Sequence, residues 1–259
     1  MPLPGQEFAL SPKLSKVERL YCRLFGLPIQ GLRVRLRVIM RLLPDRAFNR
    51  ILDAGCGRGV IARSVAQRFA DAHLDALDLN SEGQAINQEL AGHMGLERCQ
   101  FISTDIFEYT PDKSYDLIVS VDNLEHLEDD VGAVTRYFDW MEPGGTLLVH
   151  VPHYYRRWPV FKRTVNFDVE GHIRPGYHLP ELVELIQDAG FIIDDSGFSF
   201  GFWENLTNNI SYWITGAREK RKALYALMFP ILNAIAWLGQ NKQPSFGNSV
   251  WLLAHKPKA

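Results

Sequence analysis

The sequence predicts a doubly wound α/β domain, in which helices cover both faces of a largely parallel β-sheet. Between residues 50 and 151, short apolar runs alternate with amphipathic stretches of helical length. The first apolar run, 50–55, also leads directly into a glycine-rich turn and then into a helix. Strands that alternate with helices in this way form βαβ units, which place the strands parallel in one sheet.

The individual elements follow from this alternation. The predicted strands are 50–55, 73–80, 99–105, 115–122, 144–152, 191–200 and 247–257. The predicted helices between them are 59–70, 81–95, 123–141 and 179–189. Ser81 is expected to cap the second of these helices, and Gly95 to end it. The long loop 152–178 is dense in His, Tyr, Trp and Arg, which is typical of a loop that forms a substrate pocket.

An N-terminal helical extension is predicted over residues 1–47. Arginines repeat at helical spacing at Arg33, Arg37 and Arg41, with an apolar stripe opposite them. The stretch 32–38 also alternates with period two, which leaves a strand as the alternative. The apolar continuation up to Pro44 favours a helix, which the proline would close.

A helical insertion is predicted over 203–243, between the sixth and seventh strands. Within it, residues 223–240 carry no charge, and Pro230 interrupts them. The basic residues just before this stretch are Arg218, Lys220, Arg221 and Lys222. Basic residues beside an apolar helix favour contact with anionic lipid. We therefore expect the insertion to cap the substrate pocket and to touch a membrane or a lipid-like substrate. Packing on the core or in a homodimer is the alternative.

Composition limits the class of protein. The formal net charge is -2, which does not suit a protein that coats nucleic acid, so no nucleic-acid partner is expected. The three cysteines, Cys22, Cys56 and Cys99, lack the spacing of a disulfide framework or a zinc site. The first residues also lack a signal-peptide pattern. A cytoplasmic protein, with peripheral membrane contact left open, is therefore expected.

The strongest functional signal is the segment 53–59, DAGCGRG, at the junction of a strand and a helix. Gly55 and Gly57 let the backbone turn tightly and approach a ligand. Asp78 ends the next strand, where a carboxylate can accept both hydroxyls of a ribose. The glycines alone would also suit other nucleotide folds or a purely structural turn. Asp53 directly before the turn repels a pyrophosphate and suits the amino group of a methionine tail, which disfavours an NAD-dependent dehydrogenase.

Five segments together resemble the motifs of class I S-adenosylmethionine-dependent methyltransferases: ILDAGCGRG, LDALDLN, STDIFEY, YDLIVSVDNLEHLED and MEPGGTLLVHVP. The resemblance is close over 50–152 and looser over 179–200. It implies a methyltransferase domain over 48–259 and a seven-stranded mixed sheet whose last strand, 247–257, is antiparallel. It also implies S-adenosylmethionine as cofactor, with Asp105 near the adenine amino group and Ile106 against the ring. The implied cofactor-binding residues are Asp53, Gly55, Gly57, Asp78, Leu79, Asp105, Ile106 and Val121.

A hydroxyl acceptor loses its proton as the new bond to the methyl group forms, so a general base is expected beyond the carboxyl ends of the strands. The candidates there are Asp122, Glu125, His126, His150, His153, His172 and His178. We select His126 and His172 as the catalytic residues. The alternatives are a solvated charge cluster for His126 and a helix-capping role for His172.

A metal site is the remaining question for this region. Asp122, Glu125 and His126 resemble the metal-binding triplet of quinone-pathway O-methyltransferases, which has glutamate at the first place. Because aspartate reaches less far, we assign no metal, although the triplet leaves one open.

The sequence therefore predicts an enzyme that methylates a small or lipid-like acceptor at an oxygen. One alternative is a methyltransferase that acts on RNA or protein, although 121–124 lacks the NPPY-type motif of nucleobase enzymes. A second alternative is a non-catalytic module that binds S-adenosylmethionine. The intact glycine turn and both acids disfavour that module.

Overall fold

Seven strands form one sheet in a computed structural model that describes residues 3–11, 13–155, 171–215, 221–240 and 243–258. The strands are β1 (Arg50–Ala54), β2 (His73–Asp78), β3 (Cys99–Ser103), β4 (Tyr115–Val121), β5 (Met141–Pro152), β6 (Ile192–Ser199) and β7 (Ser249–His255). Their order across the sheet is β3-β2-β1-β4-β5-β7-β6. Strand β7 is antiparallel to both of its neighbours, and the other pairs are parallel. The predicted fold class is confirmed.

Helices cover both faces of this sheet. They are α1 (Lys16–Phe25), α2 (Gln30–Leu42), α3 (Val60–Arg68), α4 (Ser81–His93), α5 (Asp130–Trp140), α6 (Leu179–Asp188), α7 (Phe202–Thr215) and α8 (Lys222–Ala236). Helices α5 and α6 contribute buried residues to a core with one sheet face, and α2 and α3 do so with the other. This two-sided burial explains why most residues of the central strands are apolar.

Two helices begin at other residues than the sequence predicts. Helix α4 is capped by Asn80, whose side-chain oxygen accepts the Gly83 N–H at 2.9 Å, and not by Ser81. The helix predicted over 123–141 is instead a 3₁₀ turn, Leu124–His126, followed by α5. The side chain of Asp129 accepts the Gly132 N–H at 2.7 Å and so starts α5. Asparagine and aspartate compete well for the cap because they bond free N–H groups of the first turn.

Residues 32–38, for which the sequence left a strand as the alternative, lie in helix α2. Its apolar side packs on the sheet, where Leu36 and Ile39 join the core beside Ile51. Its arginine stripe faces the insertion, since Arg37 Nη1 donates to Asn233 Oδ1 at 3.2 Å and Arg41 Nη1 donates to the carbonyl of Gln240 at 2.6 Å. The domain boundary after residue 47 stays a prediction.

The insertion contains two helices, α7 and α8. The inner side of α8 is buried through Tyr225, Phe229, Leu232 and Ala236. Its exposed apolar residues, including the short turn that follows, are Leu224, Leu227, Ile231, Trp237 and Leu238. Within the described residues, Lys222–Gly239 is long and apolar enough to cross a membrane, and 28% of it is buried. Arg218 and Lys220 lie outside the described residues, whereas Arg221 and Lys222 begin α8.

Candidate active site

A loop of glycines leaves β1 and folds over the end of β2. Gly55 and Gly57 have φ values of 81° and 51°, which is the left-handed region. The N–H groups of Gly55 and Cys56 both donate to the carbonyl of Leu77, at 3.0 and 2.8 Å. A Cβ on Gly55 would lie 2.3 Å from Asn123 Oδ1, so no other residue fits there. The loop is therefore held between the ends of β2 and β4.

Asp78 lies against this loop at the end of β2. One carboxylate oxygen accepts the Gly57 N–H at 2.8 Å, and the other accepts the Asn80 N–H at 3.0 Å. These two bonds fix the carboxylate at the exit of the strand. The predicted ribose-binding group is thus in contact with the glycine loop.

Asp53 is buried beneath the loop, with 3% of its surface exposed. Burial, together with the nearby charge of Asp78, raises the pKa of its carboxyl group to about 7. Its Oδ2 atom has no hydrogen-bond partner among the described residues. A buried carboxylate oxygen left in this way costs free energy unless a cation or donor binds it. The site therefore fits a positively charged ligand group such as an amino group.

The other predicted cofactor residues lie along the same edge of the sheet. Asp105 accepts the Phe107 N–H at 2.8 Å, which forms the turn after β3, and Ile106 is buried in that turn. Val121 is buried at the end of β4. Leu79 differs from these, because its side chain is 71% exposed. The roles of all these residues in cofactor binding stay predictions.

The two predicted catalytic histidines lie side by side. The ring centroids of His126 and His172 are 4.6 Å apart, and the rings are close to perpendicular. Nδ1 of His126 lies 2.7 Å from the carbonyl oxygen of Gly171. Because a carbonyl only accepts, Nδ1 carries a proton, and in the neutral imidazole Nε2 keeps its lone pair. Nε2 is then able to take a proton from an acceptor, although both catalytic roles stay predictions.

The same pair joins Glu125 in a set of possible metal ligands. The ligand atoms of Glu125, His126 and His172 lie within 4.8 Å of one another. Two imidazoles and a carboxylate suit a divalent transition metal such as Zn²⁺. Asp122 is not in this set, because Arg35 Nη2 lies 2.5 Å and His150 Nδ1 2.9 Å from its carboxylate oxygens. The assignment of no metal stays a prediction.

A partly buried chain of polar side chains links four elements beside this site, with His150 and Ser199 at its buried end. Asp122 contacts Arg35 of α2 and His150 of β5, and Nε2 of His150 lies 2.9 Å from the hydroxyl of Ser199. Asp122 also has a φ of 49°. Such a backbone costs about 1–3 kcal/mol in a non-glycine residue, and residues of this kind cluster at functional sites. Asp122 and His150 were candidates from the sequence, whereas no sequence signal pointed to Arg35 or Ser199.

Two further candidate histidines have structural partners. His153 is buried, and its Nδ1 lies 3.1 Å from the carbonyl of Gly247. His178 begins α6, and its ring lies 4.6 Å from that of Tyr154. Four basic residues of the predicted acceptor loop, Arg156, Arg157, Lys162 and Arg163, lie outside the described residues.

Comparison with known proteins decides the family. A family model described as a methyltransferase domain matches residues 29–195, which is more than half of the chain. The chain belongs to the class I S-adenosylmethionine-dependent methyltransferases. This membership confirms the expected family, the expected enzyme class and S-adenosylmethionine as the cofactor. The unpartnered oxygen of Asp53 fits the amino group of that cofactor.

The names of several relatives of this methyltransferase state different methyl acceptors. Trans-aconitate 2-methyltransferase of Streptomyces avermitilis is 36% identical over 104 residues, which is 40% of this chain and 39% of the relative. Malonyl-[acyl-carrier protein] O-methyltransferase 2 of Ilyobacter polytropus is 24% identical over 76% of this chain and 67% of its own. The methyltransferase thus spans about two fifths of the first relative and two thirds of the second.

The fold is shared with solved structures at low identity. Phosphoethanolamine N-methyltransferase 2 of Haemonchus contortus, in complex with S-adenosyl-L-methionine, has a TM-score of 0.62 and 18% identity. The match covers 98% of this chain and 60% of that chain. At this identity the likeness concerns the fold alone.

Proposed function

We propose that the protein transfers a methyl group from S-adenosylmethionine to an oxygen atom of a small or lipid-like acceptor. The contact between the rings of His126 and His172 is the observation that supports transfer to an acceptor oxygen. The segment that holds His126 begins at Asn123, which packs on Gly55 of the glycine loop. His126 therefore follows by three positions a residue that contacts the donor loop.

Four groups of this chain would hold the donor. Asp53 would bind its amino group and Asp78 the two ribose hydroxyls, while Asp105 and Ile106 would contact the adenine. The donor, when bound, supplies a sulfonium methyl group together with its own leaving group. The protein then needs mainly to align the acceptor, and alignment alone provides much of the rate.

The imidazole of His126 would supply the remaining chemistry. As the bond between the methyl carbon and an acceptor hydroxyl oxygen forms, the hydroxyl proton would move to Nε2. The carbonyl of Gly171 holds the tautomer that makes this transfer possible. His172 would support His126 or replace it, since its ring is in contact with the ring of His126.

Oxygen is the proposed acceptor atom because a hydroxyl gains most from such a base. The relative that acts on malonyl-acyl-carrier protein is an O-methyltransferase by name. The structural neighbour that acts on phosphoethanolamine is an N-methyltransferase by name, so nitrogen is the competing choice. The net charge of -2 favours a small acceptor over RNA.

A methyl-transfer screen tests this function. Full-length protein would be incubated with donor carrying a ¹³C-labelled methyl group and with metabolite and lipid extracts, and mass spectrometry would locate the label. We expect label in a small or lipid-like product, and fragmentation of that product to place it on oxygen. Asp53→Asn is the negative control. Donor binding without any labelled product would support the non-catalytic module instead.

Peripheral membrane contact through α8 is a separate proposal. Its exposed apolar side includes Leu227, which is 72% exposed, beside the basic residues that begin the helix. Flotation with vesicles of phosphatidylcholine and phosphatidylglycerol tests it. We expect Leu227→Glu to reduce flotation and Val131→Glu, an exposed apolar position on α5, to leave it unchanged. If the unmodified protein does not float at low salt, the proposal is wrong. A homodimer interface then becomes the better explanation of this exposed apolar surface.

A further inference from the structure

A cavity of about 310 Å³ lies between the N-terminal residues, α2 and α8. Two arginines one helical turn apart, Arg33 and Arg37, line one side of it. The opposite wall comes from α8 and the turn after it, through Pro230, Asn233 and Trp237. The cavity therefore combines two cationic groups with a largely apolar wall.

This cavity is separate from the candidate active site. Residues two apart on a helix point in nearly opposite directions, whereas residues four apart share a face. Arg35 accordingly projects away from Arg33 and Arg37 and binds Asp122 at the end of β4. Helix α2 thus stands between the cavity and the active site.

The two cavity arginines are charged and lack a salt bridge among the described residues. Arg33 is 4% exposed and donates to the backbone carbonyls of Phe25 and Leu27. Burial and the charge of Arg37 lower the pKa of Arg33 to about 10, which still leaves it protonated at neutral pH. Glu7, the acid that acts on Arg33 from a distance, is bound to Arg63.

Arg37 has unused hydrogen-bonding capacity. Its Nη1 donates to Asn233 Oδ1, but its Nε and Nη2 are buried and have no hydrogen-bond partner among the described residues. A guanidinium edge of this kind binds carboxylate or phosphate oxygens in a paired geometry. Two like charges in a poorly solvated cavity also favour an anion. The acids that act on them from a distance are Glu7 for Arg33 and Glu204 for Arg37, and neither forms a salt bridge with them among the described residues.

The apolar wall continues onto the surface of the protein. Trp237 lines the cavity and is also 54% exposed, and its neighbours Ile231 and Leu238 are exposed as well. An apolar chain that left the cavity past Trp237 would cover this surface. Exposed apolar surface of this kind commonly marks a binding site.

We infer that this cavity binds an anionic amphiphile, with its oxyanion head on Arg37 and Arg33 and its apolar chain along Trp237 and the exposed side of α8. The head is a carboxylate or a phosphate, which share the paired oxygens that a guanidinium binds. The site is independent of methyl transfer, so a failure of the proposed acceptor chemistry leaves it untouched.

Calorimetry with three probes tests the inference. Two of the probes share a dodecyl chain, and two share a phosphate head. Dodecyl phosphate, used below its micelle concentration, carries both head and chain. Inorganic phosphate carries only the head, and dodecyl maltoside carries the same chain on a neutral head. We expect saturable one-to-one binding of dodecyl phosphate and at least about tenfold weaker binding of the other two, since each lacks one half of the contacts. Equal binding of dodecyl maltoside or of inorganic phosphate would overturn the amphiphile site.

Variants locate the binding. Arg37→Gln should weaken dodecyl phosphate binding by about tenfold or more, the loss expected for a charge-assisted pair of hydrogen bonds. Arg41→Gln, one turn further along α2 and outside the cavity, is the matched control and should bind as the unmodified protein does. Trp237→Ala tests the chain contacts without touching a charge, which keeps the test valid if Arg37→Gln does not fold. Unchanged binding by both Arg37→Gln and Trp237→Ala contradicts the inference.

Competition separates the cavity from the active site. Saturation with S-adenosylhomocysteine should leave dodecyl phosphate binding unchanged, because α2 stands between the two sites. If S-adenosylhomocysteine displaces dodecyl phosphate, the amphiphile binds in the methyl-transfer cleft and the separate site is wrong.

Discussion

Asp53 and Asp78 are two carboxylates at the ends of neighbouring strands, and the charge of Asp78 adds to burial in raising the pKa of Asp53. They differ in how the protein satisfies them. Asp78 accepts two backbone N–H groups, whereas Asp53 keeps one oxygen without a hydrogen-bond partner in the described part of the chain. The pair therefore combines a carboxylate that the glycine loop already holds with one that is ready for a cationic ligand.

Donor binding should weaken as the pH falls below 7. Asp53 has a pKa of about 7 without ligand, and only its ionised form attracts the donor's amino group. Affinity should thus drop by up to about tenfold between pH 7.5 and pH 6. Calorimetry with S-adenosylhomocysteine over this pH range measures the effect. The range lies below a pH of about 8, near which the ligand's own amino group loses its proton. A flat profile would remove Asp53 from the amino-group contact.

Asp53→Asn should stabilise the protein without donor while removing donor binding. The folded-state pKa of Asp53 is raised, so the folded protein holds its proton more tightly than the unfolded chain does. Stability is therefore lost as the pH rises from about 4 towards 7. At pH 8 the variant should gain on the order of 1–3 kcal/mol in free energy of unfolding, and less at pH 5.

Chemical unfolding at both pH values checks that gain. A second measurement separates stability from function. S-adenosylhomocysteine should raise the melting temperature of the unmodified protein and leave that of Asp53→Asn unchanged. A variant that is less stable at pH 8 would show that Asp53 has a stabilising partner instead of a ligand-binding role.

Asp78→Ala should weaken donor binding by roughly 1.5–3 kcal/mol, the scale of a lost charged acceptor for hydroxyl donors. Part of that loss would come from the glycine loop, because Gly57 also loses its hydrogen bond to Asp78. Asp71→Ala, an exposed position just before β2, is the control. An unchanged dissociation constant for Asp78→Ala would place Asp78 outside the donor site.

His126→Ala and His172→Ala should lower turnover and leave donor affinity unchanged. A general base contributes about 10²–10⁴-fold to a rate, so at least one variant should lose that much. His93→Ala, an exposed histidine in the last turn of α4, is the control. Full turnover in both variants would show that alignment alone carries the reaction, as for an acceptor oxygen that is already ionised.

Local features of the site could be predicted from the sequence because they depend on short segments. Asp53, Gly55 and Gly57 lie within five positions, and their chemistry needs only a strand followed by a tight turn. The helix caps were less predictable, since Asn80 and Ser81 are neighbouring cap formers and only the folded backbone selects between them. The break before α5 depends in the same way on Asp129.

Contacts between distant segments could not be predicted. Arg35, Asp122, His150 and Ser199 meet because α2 packs on the sheet and because β4, β5, β7 and β6 lie in that order. The order of the strands across the sheet cannot be read from any periodicity or spacing in the sequence. His126 and His172 could be named separately as bases, but their contact depends on where the chain returns after the acceptor loop.

Removal of metal ions should leave turnover intact. Nδ1 of His126 is paired with the carbonyl of Gly171, so Nε2 is the ring nitrogen left for either use. It is the proposed proton acceptor, and it would also be the ligand of an ion bound with Glu125 and His172. Those two uses exclude each other, since a lone pair that binds a metal cannot accept a proton. Protein treated with a chelator should therefore methylate its acceptor at the untreated rate.

Added Zn²⁺ provides the complementary test of the same atom. Zn²⁺ should inhibit turnover by occupying Nε2 of His126, and Glu125→Gln should weaken that inhibition because an amide is a poorer ligand than a carboxylate. Glu128→Gln, an exposed acid just after this set, is the control and should be inhibited like the unmodified protein. The opposite pattern would assign a catalytic metal to the site: turnover lost on chelation, restored by Zn²⁺ or Mn²⁺, and absent in Glu125→Gln. In that case the ion, held by Glu125, His126 and His172, would lower the pKa of an acceptor hydroxyl directly, and no imidazole base would be needed.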